Sequence, residues 1–133
     1  MKTKHTLELS DLKRIAAAAE AHALANRWAV CIAIVDDGGH LLWLQRMDGA
    51  KPTTAHLAPA KAHTAALSGQ ESKFYEDSIN NGRTAVLCVP TLRGMVEGAV
   101  PIIKDGQCIG AVGVSGAKSS DDVLVARAGI SAL

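Results

Sequence analysis

The sequence predicts an α+β fold, in which helices pack on an antiparallel sheet. Two hairpin patterns predict the sheet. The apolar run 28–35 returns as 40–46 after an Asp-Asp-Gly-Gly turn, and 101–104 returns as 107–114 after an Asp-Gly turn. Asp-Gly favours a tight turn because glycine accepts positive φ without steric cost. Helical patterns precede, separate and follow the hairpins, which is not the strand–helix alternation of a parallel sheet.

The first helix is predicted over Ser10–Ala25, with Ser10 as its cap and Asn26 as its end. Apolar residues recur along it at helical spacing and form one stripe. The stripe consists of Leu12, Ile15, Ala16, Ala19 and Ala23.

The second helix begins near Pro59, or near Thr53 with a bend at the proline, and ends at Gly69. One face of it carries four residues and Lys61 points elsewhere. The residues of that face are Ala60, His63, Thr64 and Leu67.

Two shorter segments follow. Residues 71–80 form a weakly amphipathic helix, and 84–89 is predicted as a short strand. The last helix covers Ser120–Leu133, with Ser119 as the capping hydroxyl.

Length and composition restrict the function. A chain of 133 residues suits a single domain, 1–133, and with only 3% aromatic residues its core depends on Ala, Val, Ile and Leu. The net charge of +1 and the lack of a basic run argue against a nucleic-acid partner. No apolar run reaches the ~20 residues of a membrane span. The N-terminus lacks the apolar segment of a signal peptide, so we expect a cytoplasmic protein.

The cysteines indicate no metal site. Cys31, Cys88 and Cys108 are far apart and form no C-x-x-C pair, so we interpret them as reduced thiols. His56 and His63 are seven residues apart, which places them on one helix face about 10 Å apart, too far to share a metal. Either imidazole can serve as an axial ligand of haem iron, and the alternative is an ordinary surface or core histidine.

Four residues form a candidate anion site. Arg46 directly follows an apolar strand, where it is either a fork for an anion or a solvated strand end. Ser115 and Gly116 lead into a helix whose first N–H groups can bind a carboxylate or phosphate, unless the aspartates at 121 and 122 already satisfy them. Lys61 supplies a second cation.

The glycines at 110, 113 and 116 recur at intervals of three. A strand that lacks side chains so often usually allows close approach to its backbone, by a chain segment, another subunit or a ligand. Together with an alanine-rich first helix, these small-residue surfaces predict a homo-oligomer. The alternative is that the glycines let the last helix pack closely on its own sheet.

Most of the chain resembles the GlcG/HbpS-like family, which is related to the C-terminal domain of PduO-type cobalamin adenosyltransferases. The matching pieces are V-D-x-x-G-x-L with R-M-D-x-A within 29–50, K-A-x-T-A at 61–65, and P-I-x-x-x-G-x-x-I-G-A-x-G-V-S-G-A at 101–117. The chain departs from the family at Ala99, where a second glycine is usual. Arg46, Asp48, Lys61, Ser115 and Gly116 stand at matching positions.

The resemblance implies a profilin-like or PAS-like fold with a five-stranded antiparallel sheet, assembly into dimers or larger oligomers, and haem binding or degradation. We therefore expect a small haem-binding protein. The alternative is an accessory protein or small enzyme that acts without haem on an anionic catabolite of glycolate or aromatic degradation. Neither the motifs nor the resemblance identifies a catalytic residue.

Overall fold

A computed structural model describes all 133 residues and contains four α-helices and four strands. In chain order they are α1 (Leu9–Ala25), β1 (Cys31–Asp36), β2 (Leu41–Arg46), α2 (Thr54–Ser68), α3 (Ser72–Asn80), β3 (Ala99–Lys104), β4 (Gln107–Ser115) and α4 (Ser119–Ile130). The strand order in the sheet is β2-β1-β4-β3, and every neighbouring pair is antiparallel. The predicted α+β class and both hairpins are confirmed.

The expected fifth strand is wrong. Residues Thr84–Cys88 form a 3₁₀ helix, and the sheet has four strands. Only Val86 of this segment is buried, and its backbone bonds are local, such as the Val89 N–H donating to the Val86 carbonyl at 3.1 Å. Its apolar residues resemble those of a strand, but no strand of the sheet pairs with this segment.

The two faces of the sheet carry different cores. Ile32 and Ile34 of β1 point to the side covered by α1 and α4, where the larger aliphatic side chains collect. Cys31, Ala33 and Val35 point to the other side, where α2 covers the sheet with a row of alanines. Both faces of β1 are therefore buried, as its continuous apolar run predicts.

Close packing of α2 depends on small residues on both sides of the contact. The helix starts at Thr54 and contains Pro59, which agrees with the earlier of the two predicted starts. A Cβ at Gly113 would collide with the carbonyl of Ala58, and it would lie 2.7 Å from the backbone nitrogen of Ala62. The glycine thus lets the helix backbone rest directly on β4.

Neighbouring segments of the same chain occupy the space beside the other two glycines of the series. A Cβ at Gly110 would meet the carbonyl of Val35 in β1, and one at Gly116 would lie 2.5 Å from the carbonyl of Ala29. The close approach predicted for these glycines is therefore made by β1, by α2 and by the residues before β1, not by the last helix.

At the N-termini of two helices, aspartate carboxylates and not the predicted serine hydroxyls accept backbone N–H groups. In α1 the Asp11 carboxylate accepts the backbone N–H of Glu8 at 2.9 Å, and Ser10 is already helical. In α4 the Asp122 carboxylate accepts the N–H of Ala117 at 2.9 Å, and Ser119 is the first helical residue. The predicted serine caps are wrong because both helices begin one or more residues earlier than the pattern indicated.

Candidate functional site

Lys61 lies in the interior, on the buried face of α2. The residue is 1% exposed, and its Nζ donates to the Val114 carbonyl at 3.0 Å and to Asp122 Oδ2 at 3.2 Å. The ammonium group therefore ties α2 to β4 and α4. It forms a salt bridge within the fold and does not point toward solvent.

Asp122 completes this buried pair. Its Oδ2 accepts from Lys61 while its Oδ1 accepts the Ala117 N–H, so both oxygens are used. Burial raises the pKa of the Asp122 carboxyl, and the charge of Lys61 opposes that shift only in part. Gly98 covers the pair, because a Cβ there would lie 2.6 Å from Lys61 Nζ.

Ser115 and Gly116 lie at the junction of β4 and α4. Ser115 is 4% exposed, whereas Gly116 is exposed and has a φ of 139°. The first turn of α4 already contains the acidic side chains of Asp121 and Asp122, and the latter binds the nearest free N–H group. This geometry supports the reading in which the helix start is satisfied by its own carboxylates.

Arg46 and Ser115 belong to one row across the sheet, with Cys31 paired between them. Two strand spacings separate them, about 10 Å. Burial raises the pKa of the Cys31 thiol more than the nearby Arg46 charge lowers it, so this thiol remains protonated.

The Arg46 side chain is exposed and borders a shallow cleft of about 300 Å³ at the edge of the sheet. Glu20 and Asp48 line the same cleft, so the positive charge has acidic neighbours. Within this row of three residues, Ser115 is therefore buried, whereas Arg46 is exposed on the edge strand. Lys61 lies outside this row.

His63 is the half-buried histidine of α2, and its ring is held in one orientation. Its Nδ1 lies 3.2 Å from the carbonyl oxygen of Gly39 in the β1–β2 turn. A carbonyl only accepts hydrogen bonds, so Nδ1 is the donor, and in the neutral tautomer that fits this contact Nε2 carries the lone pair. His56 lies two turns earlier on the same helix face and is exposed.

Four leucine side chains of β2 and α2 are exposed, and α2 also presents His63, whose ring contacts the turn that leads into β2. We call these residues the β2 shelf, and they are Leu41, Leu42 and Leu44 of β2 with His63 and Leu67 of α2. The four leucines are 52%, 38%, 45% and 43% exposed, respectively. The sheet register pairs Leu41 with Val35 and Leu44 with Ala33. Because Val35 and Ala33 pack under α2, these leucines project on the same side, beyond the edge that the helix covers.

Sequence reasoning missed two features of this region. Strict alternation along β2 predicts Leu42, Leu44 and Arg46 on one face and Leu41 on the other, and sequence reasoning missed the bulge between Ile34 and Val35, which pairs Leu41 with Val35 on the same side as Leu44. It also missed Asp122 as the partner of Lys61, since the two residues are 61 positions apart. The only available signal was that a lysine within an alanine-rich helix needs a counter-charge if it is buried.

The chain offers few other sites. No group of three or more His, Cys, Asp or Glu side chains is arranged to hold a metal ion. The other two clefts have volumes of about 200 and 300 Å³, and both border the N-terminal segment around His5. None of the helices is both long and apolar enough to cross a membrane.

Comparison with known proteins identifies the family. A family model described as "Haem degrading protein HbpS-like" matches residues 7–131. Protein GlcG of Escherichia coli K12 is 51% identical over 115 residues, which cover 86% of this chain and 85% of GlcG.

Two solved structures share the whole fold. A PduOC complex with haem has a TM-score of 0.87 at 27% identity, with 97% of this chain and 96% of that chain covered. A double mutant of Streptomyces reticuli HbpS has a TM-score of 0.90 at 28% identity, with 100% and 90% covered. The resemblance read from the motifs is confirmed, and the chain belongs to the HbpS-like family.

Proposed function

We propose that this protein binds haem without a covalent link, and that the haem lies on the β2 shelf. The main support is the PduOC structure, which is a haem complex of a protein with the same fold over nearly the whole chain. The proposal also agrees with the family description, which names haem as the molecule acted upon.

The residues of the β2 shelf fit a porphyrin in chemical type. Haem presents large apolar faces, and the shelf includes four exposed leucine side chains. It also carries two propionates, and Arg46 at the end of β2 is an exposed cation. An imidazole that is hydrogen-bonded through Nδ1 and free at Nε2 is available at His63, whereas the ring of His56 is exposed. The clefts of 200–300 Å³ are too small to enclose the ring, so an open face suits it better.

Bound haem would supply an iron centre whose redox and ligand chemistry belongs to the cofactor. The role of this chain is then to cover one porphyrin face with leucines, to offer an imidazole nitrogen and to pair a propionate with Arg46. We assign no residue a catalytic role in haem degradation. A time course of Soret absorbance with ascorbate in air, compared with free hemin, separates binding from degradation.

Hemin titration tests the binding proposal. We expect a Soret shift that saturates at stoichiometric protein. Each of the five histidines is replaced by alanine in turn, and removal of a true ligand changes the spectrum. Micromolar or weaker binding, unaltered in all five variants, would contradict the proposal.

A second candidate is a protein that acts on an anionic catabolite without haem. Its support is the 51% identity to GlcG together with exposed Arg46. Lys61 does not help here, because Asp122 already neutralises it. Thermal shift measurements with glycolate and benzoate test this alternative. Stabilisation that is lost in Arg46→Gln would support it, and no shift with either acid would count against it.

We also propose that the protein self-associates through the β2 edge. β2 ends the sheet, so one row of its backbone groups has no partner strand, and its outward leucines are exposed. A partner at this edge would cover the same shelf and would place a haem site at a subunit junction.

A further inference from the structure

We propose that His63, and not His56, is the iron ligand of this protein, and that the Gly39 carbonyl selects the ring nitrogen that binds. This inference rests on the proposed haem function and names the residues that set the geometry of the site. It starts from the single hydrogen bond between α2 and the β1–β2 turn, Nδ1 of His63 to the carbonyl of Gly39 at 3.2 Å.

The hydrogen bond fixes both the tautomer and the plane of the ring. Neutral imidazole carries one N–H, and a carbonyl acceptor holds that hydrogen on Nδ1. Nε2 then presents its lone pair away from the turn. In histidines that bind metals, the N–H of the other ring nitrogen almost always donates a hydrogen bond, often to a backbone carbonyl. This contact orients the ring and makes the metal-binding nitrogen more basic.

Gly39 is a glycine for two physical reasons. Its φ is +79°, a conformation that favours glycine. A Cβ at this position would also lie 2.5 Å from His63 Nδ1 and 3.0 Å from its Cε1. Any side chain here would push the imidazole away from the carbonyl, so the glycine is needed for the ring position as well as for the turn.

His56 lacks this arrangement. It is exposed in the first turns of α2, whereas His63 is half-buried and its ring contacts the turn that leads into β2. A ligand on the open surface must lose side-chain freedom and hydration when it binds iron, while the ring of His63 is already ordered. His56 is therefore a matched negative control on the same helix face.

Hemin binding is measured for the wild type and for His63→Ala, His63→Gln and His56→Ala. We expect at least about a tenfold loss of affinity and loss of the nitrogen-ligated spectrum in both His63 variants, and neither change in His56→Ala. Added imidazole should restore the wild-type spectrum to His63→Ala. His63→Gln keeps an amide N–H that can reach Gly39, so it serves if the alanine variant folds poorly.

Gly39→Ala tests the positioning role. We expect hemin affinity to fall by about tenfold, with a changed electron paramagnetic resonance spectrum, because the ring can no longer face the carbonyl. Two controls accompany it. Gly38→Ala alters the same turn but meets chiefly the exposed ring of His40 and not His63, and Gly49→Ala carries a similar φ of +86° with its nearest contact at 3.5 Å. Both should bind hemin as the wild type does.

A measurement on the protein without haem gives an independent readout. In ¹⁵N spectra at neutral pH, His63 should show a protonated Nδ1 and an unprotonated Nε2, and a protonated Nε2 would overturn the inference. If the wild type takes up no hemin, the proposed function fails and this inference fails with it. If the wild type binds hemin and the His63 variants match it, or if only His56→Ala changes the spectrum, this inference alone is wrong.

Discussion

Lys61 is a charged side chain that the fold buries completely, so its effect on stability depends on Asp122. Removal of one partner from a buried pair leaves the other charge without compensation, and we expect Lys61→Met to lower the free energy of unfolding by about 3–5 kcal/mol. The double variant Lys61→Met/Asp122→Leu removes both charges and should recover most of that loss. Urea unfolding of the two variants measures the difference.

The control for this pair is Lys73→Met. Lys73 Nζ contacts Asp77 at 2.9 Å on the exposed side of α3, where water screens both charges, so its loss should hardly alter stability. A neutral effect of Lys61→Met alone would show that the buried pair is not coupled as its geometry indicates.

Asp122 also makes a specific prediction about pH. Burial raises the pKa of its carboxyl above the usual 3.8. The stability that this group contributes is therefore fully present below that value, and it is lost as the pH rises through the folded-state pKa. We expect the stability difference between the wild type and Asp122→Asn to become less favourable to the wild type as the pH rises from below 3.8 through the raised pKa of Asp122.

Urea unfolding at several pH values tests this prediction. Carboxyls with lowered pKa, such as Asp37 beside Lys4, have the opposite pH dependence, but they are present in both proteins and cancel in the difference. A difference that grows in favour of the wild type with pH would mean that the charge of Lys61 outweighs the burial of Asp122.

At the level of elements, the contact between α2 and β4 depends on one missing side chain. Gly113 has no positive φ, so an alanine there would suffer only from the collision with the backbone of α2. Backbone atoms yield less than side chains, and we expect Gly113→Ala to cost about 3 kcal/mol. Thermal or urea unfolding measures this loss.

Gly38→Ala is the matched comparison for Gly113→Ala. It also lacks a positive φ, but its Cβ would meet chiefly the exposed ring of His40, at 2.8 Å, and that ring can move aside. Its effect should be much smaller. Equal losses in the two variants would indicate that the close approach of α2 is not what requires the glycine.

The same element shows why part of this fold was predictable and part was not. The hairpins follow from local chemistry, since their turns and apolar runs lie next to each other in the chain. The buried face of α2 does not, because a helix composed largely of alanine looks alike on several sides. Residues 84–89 have the apolar composition of a strand, but they pair with no strand of the sheet, and composition alone does not reveal this. The site depends on contacts such as His63 with Gly39 and Lys61 with Asp122, which join distant positions and leave no local pattern.

For the whole molecule, the open β2 edge predicts self-association. Burial of apolar surface contributes about 25 cal/mol per Å², and a two-fold contact at this edge would bury each shelf against its copy. Gly110, Gly113 and Gly116 favour assembly less than their spacing suggested, because neighbouring segments of the chain already fill the space beside them. The exposed leucines are the better reason to expect an oligomer.

Light scattering coupled to size-exclusion chromatography tests this expectation. We expect the wild type to be a dimer or larger at micromolar concentration, and Leu44→Glu to shift it toward the monomer by placing a charge in the contact. Leu124→Glu is the control, since Leu124 on α4 is 44% exposed and Leu44 is 45% exposed, so the two changes differ in location and hardly in burial. A monomeric wild type would refute the oligomer, and equal dissociation by both variants would place the contact elsewhere than at β2.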